Sequence, residues 1–385
     1  MRVLVSTTAA HGHVLPVVPL ARALLDAGHR VLWATGGTAA GLVAAAGIDS
    51  AEAGIADVEL APQRAELWAS LAEVPRDQWA GRVFPGLFGG ILAPRAVADL
   101  LPLGREWAPD LIVHEQGELA APLVGALLGV PSVAHAFGSA VPAGHVAAAA
   151  ERLAPLWAEH GLQVPAYAGC FASPYLDIYP PSMQGDGAAH IADRQLLRPV
   201  SYTGPEPDRL PELVELPDDR PLVYLTLGTV FRDQALVREL LGSLSGLDVR
   251  ILVTVGPGGD PDALGRQPGN VAVERYVSQT AVLPHCDAVV SHAGSGTVLG
   301  ALSLGLPLVC VPQAADQFRN SAAIAKAGAG VVLRPGEATP AAVASAVQAV
   351  LGANGYRHAA AAVAAEIAAM PAPTDVVPRL EALVG

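Results

Sequence analysis

The chain has 385 residues, a length typical of two domains, and 52% of them are hydrophobic, enough to build large buried cores. A formal net charge of −13 and the lack of a basic block argue against a nucleic acid or stable membrane insertion. Three widely spaced cysteines and the lack of an N-terminal leader pattern predict a cytoplasmic protein.

The first 200 residues begin with an alternation of strand and helix patterns. Strands are predicted at residues 2–7 and 30–35, and helices at residues 14–27 and 38–46. This alternation is typical of a doubly wound α/β domain. The glycine fingerprint of dinucleotide-binding proteins is missing after the first strand, which weakens a dehydrogenase interpretation.

His13 lies just after the first predicted strand, at the start of a helix. Ligands of α/β sheets bind at the carboxyl ends of strands. The positive end of the helix dipole disfavours an imidazolium, so His13 is a candidate for accepting a proton. His11, two residues earlier in the same loop, is the competing candidate.

Between residues 55 and 102 the alternation dissolves into an irregular insertion with scattered aromatic residues and prolines. Trp68, Trp79, Phe84 and Phe88 are candidates for the wall of a pocket that holds an apolar ligand. Ordinary packing of these side chains on the domain is the open alternative. The stretch from 135 to 142 and the Ala-rich segment after it are further candidates for that wall.

The second half of the chain predicts another α/β domain. Residues 197–221 are rich in Pro, Asp and Glu without an apolar period, which favours an interdomain linker at 201–220. Strands are then predicted at 222–227, 249–255, 271–273, 288–290 and 308–311, and helices at 357–370 and 374–384.

A small, polar turn separates the strand at 288–290 from a helix predicted at 298–304. Its residues are His292, Ala293, Gly294, Ser295, Gly296 and Thr297. Backbone N–H groups at such a turn point outward, unpaired, at the positive end of a helix dipole. The ligand that this turn suits is a phosphate or a diphosphate.

The string HAGSGT, followed after a helix and a strand by PQAADQF, closely resembles the donor-site signature of GT-B glycosyltransferases. The resembled family uses nucleotide sugars and includes plant and macrolide glycosyltransferases, and the resemblance covers nearly the whole chain. It implies an α/β fold of two Rossmann-like, doubly wound, parallel-sheet domains that face each other across a cleft. The acceptor domain would be 1–200 and the donor domain 221–370, and a C-terminal helix at 371–385 would cross back to the first domain.

The resemblance also implies catalytic roles. In this family the histidine of a Gly-His-x-x-Pro segment deprotonates the acceptor hydroxyl, and His13 occupies that position. The family usually places an aspartate after the fourth strand as its partner, and the matching residue here is Glu115. Glu118 is a weaker candidate for that partner.

The same resemblance assigns donor-binding residues. Gly228 and Thr229 would lie near the diphosphate with the 292–297 turn, and Tyr276 and Val277 would hold the nucleobase, where many members have a tryptophan. Asp316 and Gln317 would bind hydroxyls of the sugar, with a helix N-cap as the alternative role for Asp316.

The chain most resembles actinobacterial natural-product glycosyltransferases. This implies inverting transfer of a deoxysugar from a TDP- or UDP-sugar to a hydroxyl of an apolar, polyketide-like acceptor, with no metal and no other cofactor. A homodimer is one possible assembly. Two alternatives stay open: a catalytically inactive partner of another glycosyltransferase, and a nucleotide-sugar epimerase.

Overall fold

A computed structural model describes residues 1–54, 57–202, 204, 210–228, 234–256 and 258–385. The chain forms two compact units. The first comprises Met1–Tyr179, Gln184–Tyr202 and Met370–Gly385, and the second comprises Pro180–Met183 and Thr203–Ala369.

Each unit is built on one sheet in which every strand pairing is parallel. The strands are β1 (Arg2–Ser6), β2 (Arg30–Thr35), β3 (Asp49–Glu52), β4 (Leu111–Glu115), β5 (Ser132–His135), β6 (Tyr175–Asp177), β7 (Arg194–Leu196), β8 (Leu222–Thr226), β9 (Arg250–Thr254), β10 (Val271–Glu274), β11 (Ala288–Ser291), β12 (Leu308–Cys310) and β13 (Gly330–Val332). The first sheet has the order β3-β2-β1-β4-β5-β6-β7, and the second has the order β10-β9-β8-β11-β12-β13.

Helices connect the strands. They are α1 (His11–Val14), α2 (Val18–Asp26), α3 (Gly37–Ala45), α4 (Asp57–Ala69), α5 (Ala80–Val83), α6 (Ala93–Trp107), α7 (Ala121–Leu128), α8 (Ala143–Glu159), α9 (Pro181–Gln184), α10 (Glu212–Glu215), α11 (Gln234–Leu244), α12 (Gln279–Val282), α13 (Ser295–Ser303), α14 (Gln317–Ala327), α15 (Pro340–Gly352), α16 (Asn354–Ala369) and α17 (Pro373–Glu381). A π-helix at Phe84–Leu92 precedes α6. Short 3-10 turns lie at Leu15–Val17, Arg76–Gln78, Ala166–Gly169, Gly185–Ala188, Pro261–Leu264 and Leu283–His285.

The strand order of both sheets confirms the predicted doubly wound α/β fold. In each sheet the order reverses at the first strand of the unit, so β1 lies beside β4 and β8 lies beside β11. Such a reversal opens a crevice at the carboxyl ends of the two strands, which is where open α/β sheets bind ligands. The fold therefore predicts one ligand site in each unit.

The apolar strand sequences explain the burial of the sheets. Val3, Leu4 and Val5 of β1 are at most 1% exposed, as are the three apolar residues that begin β4. Continuous apolar runs are typical of parallel strands with both faces covered by helices. Trp33 of β2 is also fully buried, and its indole N–H donates to Thr7 Oγ1 over 2.9 Å.

The expectation of an irregular insertion at 55–102 is wrong over the residues that the structure describes. From Asp57 to Trp107 the chain is largely helical and passes through α4, α5, the π-helix and α6. Prolines suggested breaks there, but the helices continue through them: Pro62 lies inside α4 and Pro102 lies inside α6.

The proposed linker at 201–220 is not wholly irregular either. The helix α10 lies within it, and Leu213 and Val214 are buried. Residues 203 and 205–209 of the same stretch lie outside the described part of the chain.

The edge strands β3 and β7 of the first sheet escaped the sequence analysis for a physical reason. β3 and β7 carry no apolar period, and none of their residues is fully buried. An edge strand is stabilised by pairing along one side, so a short one needs little apolar surface.

Helix α17 belongs to the first unit, because its apolar residues Val376, Val377 and Leu380 are buried there. At its C-terminal end, Glu381 pairs with His29 Nε2 at 3.0 Å.

Two helical runs, Arg76–Trp107 and Asn354–Glu381, are long and apolar enough to cross a membrane by length and composition alone. The second run is broken between α16 and α17, which belong to different units. Two such runs are weak evidence for a membrane span.

Candidate active site

The crevice of the first unit brings His13 and Glu115 together. β4 ends at Glu115, and His13 lies in α1, which starts five residues after β1 ends. Ser6 pairs in register with His114, so the two strand ends lie side by side. His13 Nδ1 and Glu115 Oε1 are 2.9 Å apart, and the carboxylate side chain is fully buried.

The surroundings of Glu115 keep its carboxylate ionised. Oε1 also accepts from the Thr8 hydroxyl at 2.9 Å, and Oε2 accepts from the Gly117 N–H. Burial alone would raise the pKa of Glu115, but the charge and hydrogen bond of His13, the Gly117 N–H and the Thr8 hydroxyl together lower it. Since an ionised carboxylate only accepts, His13 must donate from Nδ1, and in the neutral ring Nε2 then carries the lone pair.

Two phenylalanines flank the imidazole of His13. Phe88 of the π-helix stacks on it with ring centroids 5.5 Å apart, and Phe137, just after β5, approaches to 4.3 Å. A Cβ on Gly117 would lie 3.1 Å from the Phe88 ring and 3.1 Å from Glu115 Oε2. There is little room for a side chain at position 117, which explains why a glycine occupies it.

The four predicted acceptor residues separate into two groups. Phe84 is buried and packs against Phe88 at 5.2 Å, so it supports the ring beside His13. Trp68 and Trp79 stack on each other at 6.2 Å instead, and Trp79 Nε1 donates to the Val74 carbonyl. No ring contact joins this pair to His13 among the described residues.

Glu118 is not the partner of His13. Its carboxylate accepts from the N–H groups of Ala120 and Ala121 at 2.9 and 3.0 Å, which satisfies the start of α7. Burial raises the pKa of Glu118 to about 7. Glu115 is thus kept ionised, whereas Glu118 exchanges its proton near neutral pH.

The crevice of the second unit contains the predicted phosphate turn. After β11 the chain passes through His292 and Ala293, and α13 begins at Ser295 with Gly294 as its N-cap. The helix therefore begins three residues earlier than predicted, so Ser295, Gly296 and Thr297 form its first turn. Gly296 is exposed, and a Cβ there would meet nothing within 4 Å. The first-turn N–H groups of α13 thus face an approachable surface.

His292 packs between two glycines. A Cβ on Gly228 or on Gly294 would lie 2.5 Å from the imidazole, and Gly228 has a φ of +84°. Burial lowers the pKa of His292 to about 4 against the opposing effects of Asp316 and the Thr226 carbonyl. His292 is therefore neutral near pH 7, which the sequence left undecided.

Asp316 lies at the N-cap position of α14, but its side chain does not cap the helix. It accepts instead from the Ser295 hydroxyl at 2.7 Å and from Asn320 Nδ2 at 2.9 Å. The Gln317 amide oxygen accepts from the N–H groups of Gln313 and Ala314 at 2.7 and 3.0 Å.

The predicted nucleobase segment reaches the phosphate turn through Gln279. Tyr276 is 45% exposed and Val277 is 9% exposed. Gln279 Nε2 donates to Thr297 Oγ1 at 3.2 Å. Thr229, predicted beside Gly228, lies outside the described residues.

The sequence analysis missed Phe137, Gly117, Gln279 and Asn320 as individual site residues. Phe137 lies in the stretch 135–142 that the sequence offered as pocket wall, but nothing there distinguished it from its neighbours. Asn320 carried no local signal, because its contacts join parts of the chain that are more than 20 residues apart.

Comparison with known proteins shows what this chain is similar to. Family models described as erythromycin biosynthesis protein CIII-like match residues 22–228 with the N-terminal domain and 238–383 with the C-terminal domain. The L-demethylnoviosyl transferase of Streptomyces niveus is 33% identical over 398 residues, which cover 99% of this chain and 98% of that protein.

Two solved structures share the fold of the whole chain. The glycosyltransferase SsfS6 of Streptomyces sp. SF2575, complexed with thymidine diphosphate, has a TM-score of 0.81 and 31% identity, covering 99% of each chain. The spinosyn rhamnosyltransferase SpnG, complexed with spinosyn aglycone, has a TM-score of 0.84 and 26% identity, covering 99% of this chain and 100% of that one.

Proposed function

The chain belongs to the erythromycin biosynthesis protein CIII-like family of glycosyltransferases, and from this we propose an inverting transfer of a deoxysugar to a hydroxyl of an apolar natural-product acceptor. The donor would be a TDP- or UDP-sugar. The SsfS6 structure contains thymidine diphosphate, which favours TDP.

The hydrogen bond between His13 and Glu115 carries the proposal. With Nδ1 donating to the carboxylate, Nε2 would take the proton of the acceptor hydroxyl as its oxygen attacks the anomeric carbon of the sugar. The buried carboxylate would stabilise the imidazolium that forms and would hold the ring in one tautomer.

The first turn of α13 would receive the leaving diphosphate. Its N–H groups and the positive helix end stabilise negative charge, although the whole chain carries −13. The neutral His292 ring would offer a hydrogen bond rather than a positive charge. We infer that no metal ion is needed for this step.

Asp316 and Gln317 would hold the sugar. Because Ser295 and Asn320 both donate to Oδ2 of Asp316, its Oδ1 would accept from a sugar hydroxyl. The Gln317 amide oxygen is engaged by the backbone, so its amide nitrogen is the group that would donate to the sugar.

The rings beside His13 favour an apolar acceptor. Phe88 and Phe137 place apolar surface within 5.5 Å of the imidazole centroid. A flat apolar molecule with one hydroxyl at Nε2 would cover this surface and exclude water from the proton transfer. The neighbour SpnG is complexed with an aglycone, the spinosyn aglycone.

The proposal is tested in two steps. A panel of nucleotide sugars is first screened by thermal unfolding, where a true donor at 100 times its Kd stabilises the protein by about 2.7 kcal/mol. The stabilising donor is then incubated with polyketide-type acceptors, and the anomeric configuration of the product is determined by NMR.

A product with the anomeric configuration inverted relative to the donor supports the proposal. Retention of configuration contradicts it. Alteration of the sugar without an acceptor indicates an epimerase, and donor binding without any transfer indicates an inactive partner of another glycosyltransferase.

A further inference from the structure

Asn320 joins the two parts of the donor site. It lies in the first turn of α14 and is fully buried. Its Nδ2 lies 2.9 Å from the Ala293 carbonyl oxygen, 3.0 Å from Ser295 Oγ and 2.9 Å from Asp316 Oδ2. One amide group thus reaches the phosphate turn and the proposed sugar-binding carboxylate at once.

These contacts form a closed set of hydrogen bonds. The Ser295 hydroxyl donates to Asp316 Oδ2 at 2.7 Å, and Asn320 donates to the same oxygen. Two donors on Oδ2 fix the rotation of the carboxylate, and no hydrogen bond to Oδ1 occurs among the described residues. Hydrogen bonds to a charged group are the stronger ones, so this arrangement is well suited to aiming one oxygen.

The same amide holds an unfavourable backbone conformation. Ala293 has a φ of +64°, in the left-handed region that is unfavourable for a non-glycine residue. Its N–H donates to Ser291 Oγ, and its carbonyl accepts from Asn320. Such conformations persist when surrounding bonds over-determine them, and they cluster at functional sites.

We propose that Asn320 is a positioning residue that couples recognition of the diphosphate to recognition of the sugar. The inference rests on the proposed function, because it assigns the phosphate turn and Asp316 to one donor molecule. Asn320 acts through Ala293, Ser295 and Asp316 and makes no contact with the donor itself. Without it, the turn and the carboxylate would lose their common support and bind their parts of the donor independently.

The test compares Asn320→Ala with Asn270→Ala. Asn270 is a matched control in the same unit, since its Nδ2 donates to the carbonyls of Ser245 and Val249, away from the donor site. Calorimetry measures the Kd of TDP and of the TDP-sugar identified above, and thermal unfolding checks that both variants fold.

Asn320→Ala should weaken TDP-sugar binding by about 10-fold or more, the scale of one lost charge-assisted hydrogen bond. TDP alone should bind more weakly too, but by a smaller factor. Asn270→Ala should lower the Tm and leave both Kd values within about twofold of wild type, since its bonds are only structural.

A double-mutant cycle measures the coupling. The contribution of the sugar to binding is the ratio of the Kd of TDP to the Kd of the TDP-sugar. In an Asp316→Ala background, Asn320→Ala should no longer change this ratio. If Asn320→Ala fails to fold, Asn320→Asp keeps the side-chain volume and removes the donor, and it should give the same weakening.

Two outcomes are distinguishable. Wild-type protein that binds neither TDP nor UDP would refute the proposed function. Wild-type protein that binds TDP-sugar, together with a folded Asn320→Ala or Asn320→Asp variant of equal affinity, would overturn only the role of Asn320.

Discussion

At the scale of single residues, a linear motif located the candidate base but not its environment. His13 could be found because it follows the first strand, and Glu115 because it ends the fourth. The longer glutamate reaches Nδ1 at 2.9 Å from a fully buried position, with Thr8 and Gly117 satisfying its other lone pairs. Those supporting contacts depend on the fold, so the sequence could not predict them.

Glu118 leads to a prediction on the pH dependence of stability. Its pKa rises from 4.5 to about 7 in the fold because burial disfavours the charge. The folded chain therefore binds this proton more tightly than the unfolded chain, and the contribution of Glu118 to the free energy of unfolding falls as pH rises across that range.

The measurement compares wild type with Glu118→Gln in urea at pH 5, 6 and 7. All five tryptophans lie in the first unit, so their fluorescence reports its unfolding. The stability of wild type relative to the variant should fall by about 1–3 kcal/mol from pH 5 to pH 7. Burial lowers the pKa values of His114 and His135, so their contribution to stability rises with pH. Both proteins contain these histidines, so subtracting the stability of the variant from that of wild type cancels their contribution. A difference that is independent of pH would contradict the assignment.

At the scale of elements, the sequence predicted β1, β2, the strands β8 to β12 and the turn before α13 well. These elements carry continuous apolar runs or a local glycine pattern. The strands β3 and β7 and the helical nature of the segment from Asp57 to Trp107 were missed. Strand pairing and packing against α8 stabilise these elements, and their local sequence pattern does not announce them.

Gly228 gives a prediction about the turn after β8. An alanine there would combine a φ of +84° with a Cβ 2.5 Å from the His292 ring. Gly228→Ala should lower stability by about 1–2 kcal/mol through backbone strain alone and should weaken TDP binding by displacing the ring. Gly242→Ala, in α11 with open space around its Cβ, is the control and should be neutral or stabilising. Unchanged TDP affinity in Gly228→Ala would show that the His292 ring does not shape the site.

The N-terminus of α13 predicts donor binding without a metal ion. Its first-turn N–H groups and the helix end supply the stabilisation that a divalent cation would otherwise provide. Calorimetry of TDP with and without EDTA should therefore give the same Kd. A large loss of affinity after chelation, restored by magnesium, would show that a cation belongs to the site.

At the scale of the whole molecule, the residues proposed for proton transfer and those proposed for donor binding lie in different units. The hydrogen-bonded residues His13 and Glu115 belong to the first unit, and the phosphate turn and Asp316 belong to the second. Sequence periodicity was enough to predict two α/β domains, because alternating strands and helices leave few other folds. It could not predict the role of Asn320 or the contact of Phe137 with His13, because these contacts join remote parts of the chain.

The most direct test of the account is the kinetics of His13→Ala together with its donor affinity. Turnover of an alcohol acceptor should fall by about 10²–10⁴-fold, the usual effect of losing a general base. The Kd of TDP should stay within about twofold, since the proposed donor-binding residues lie in the other unit. The turnover of Glu115→Gln should lie between those of wild type and His13→Ala, because the His13 ring keeps a partner but loses the charge that stabilises the imidazolium. Equal turnover by wild type and His13→Ala would contradict the account.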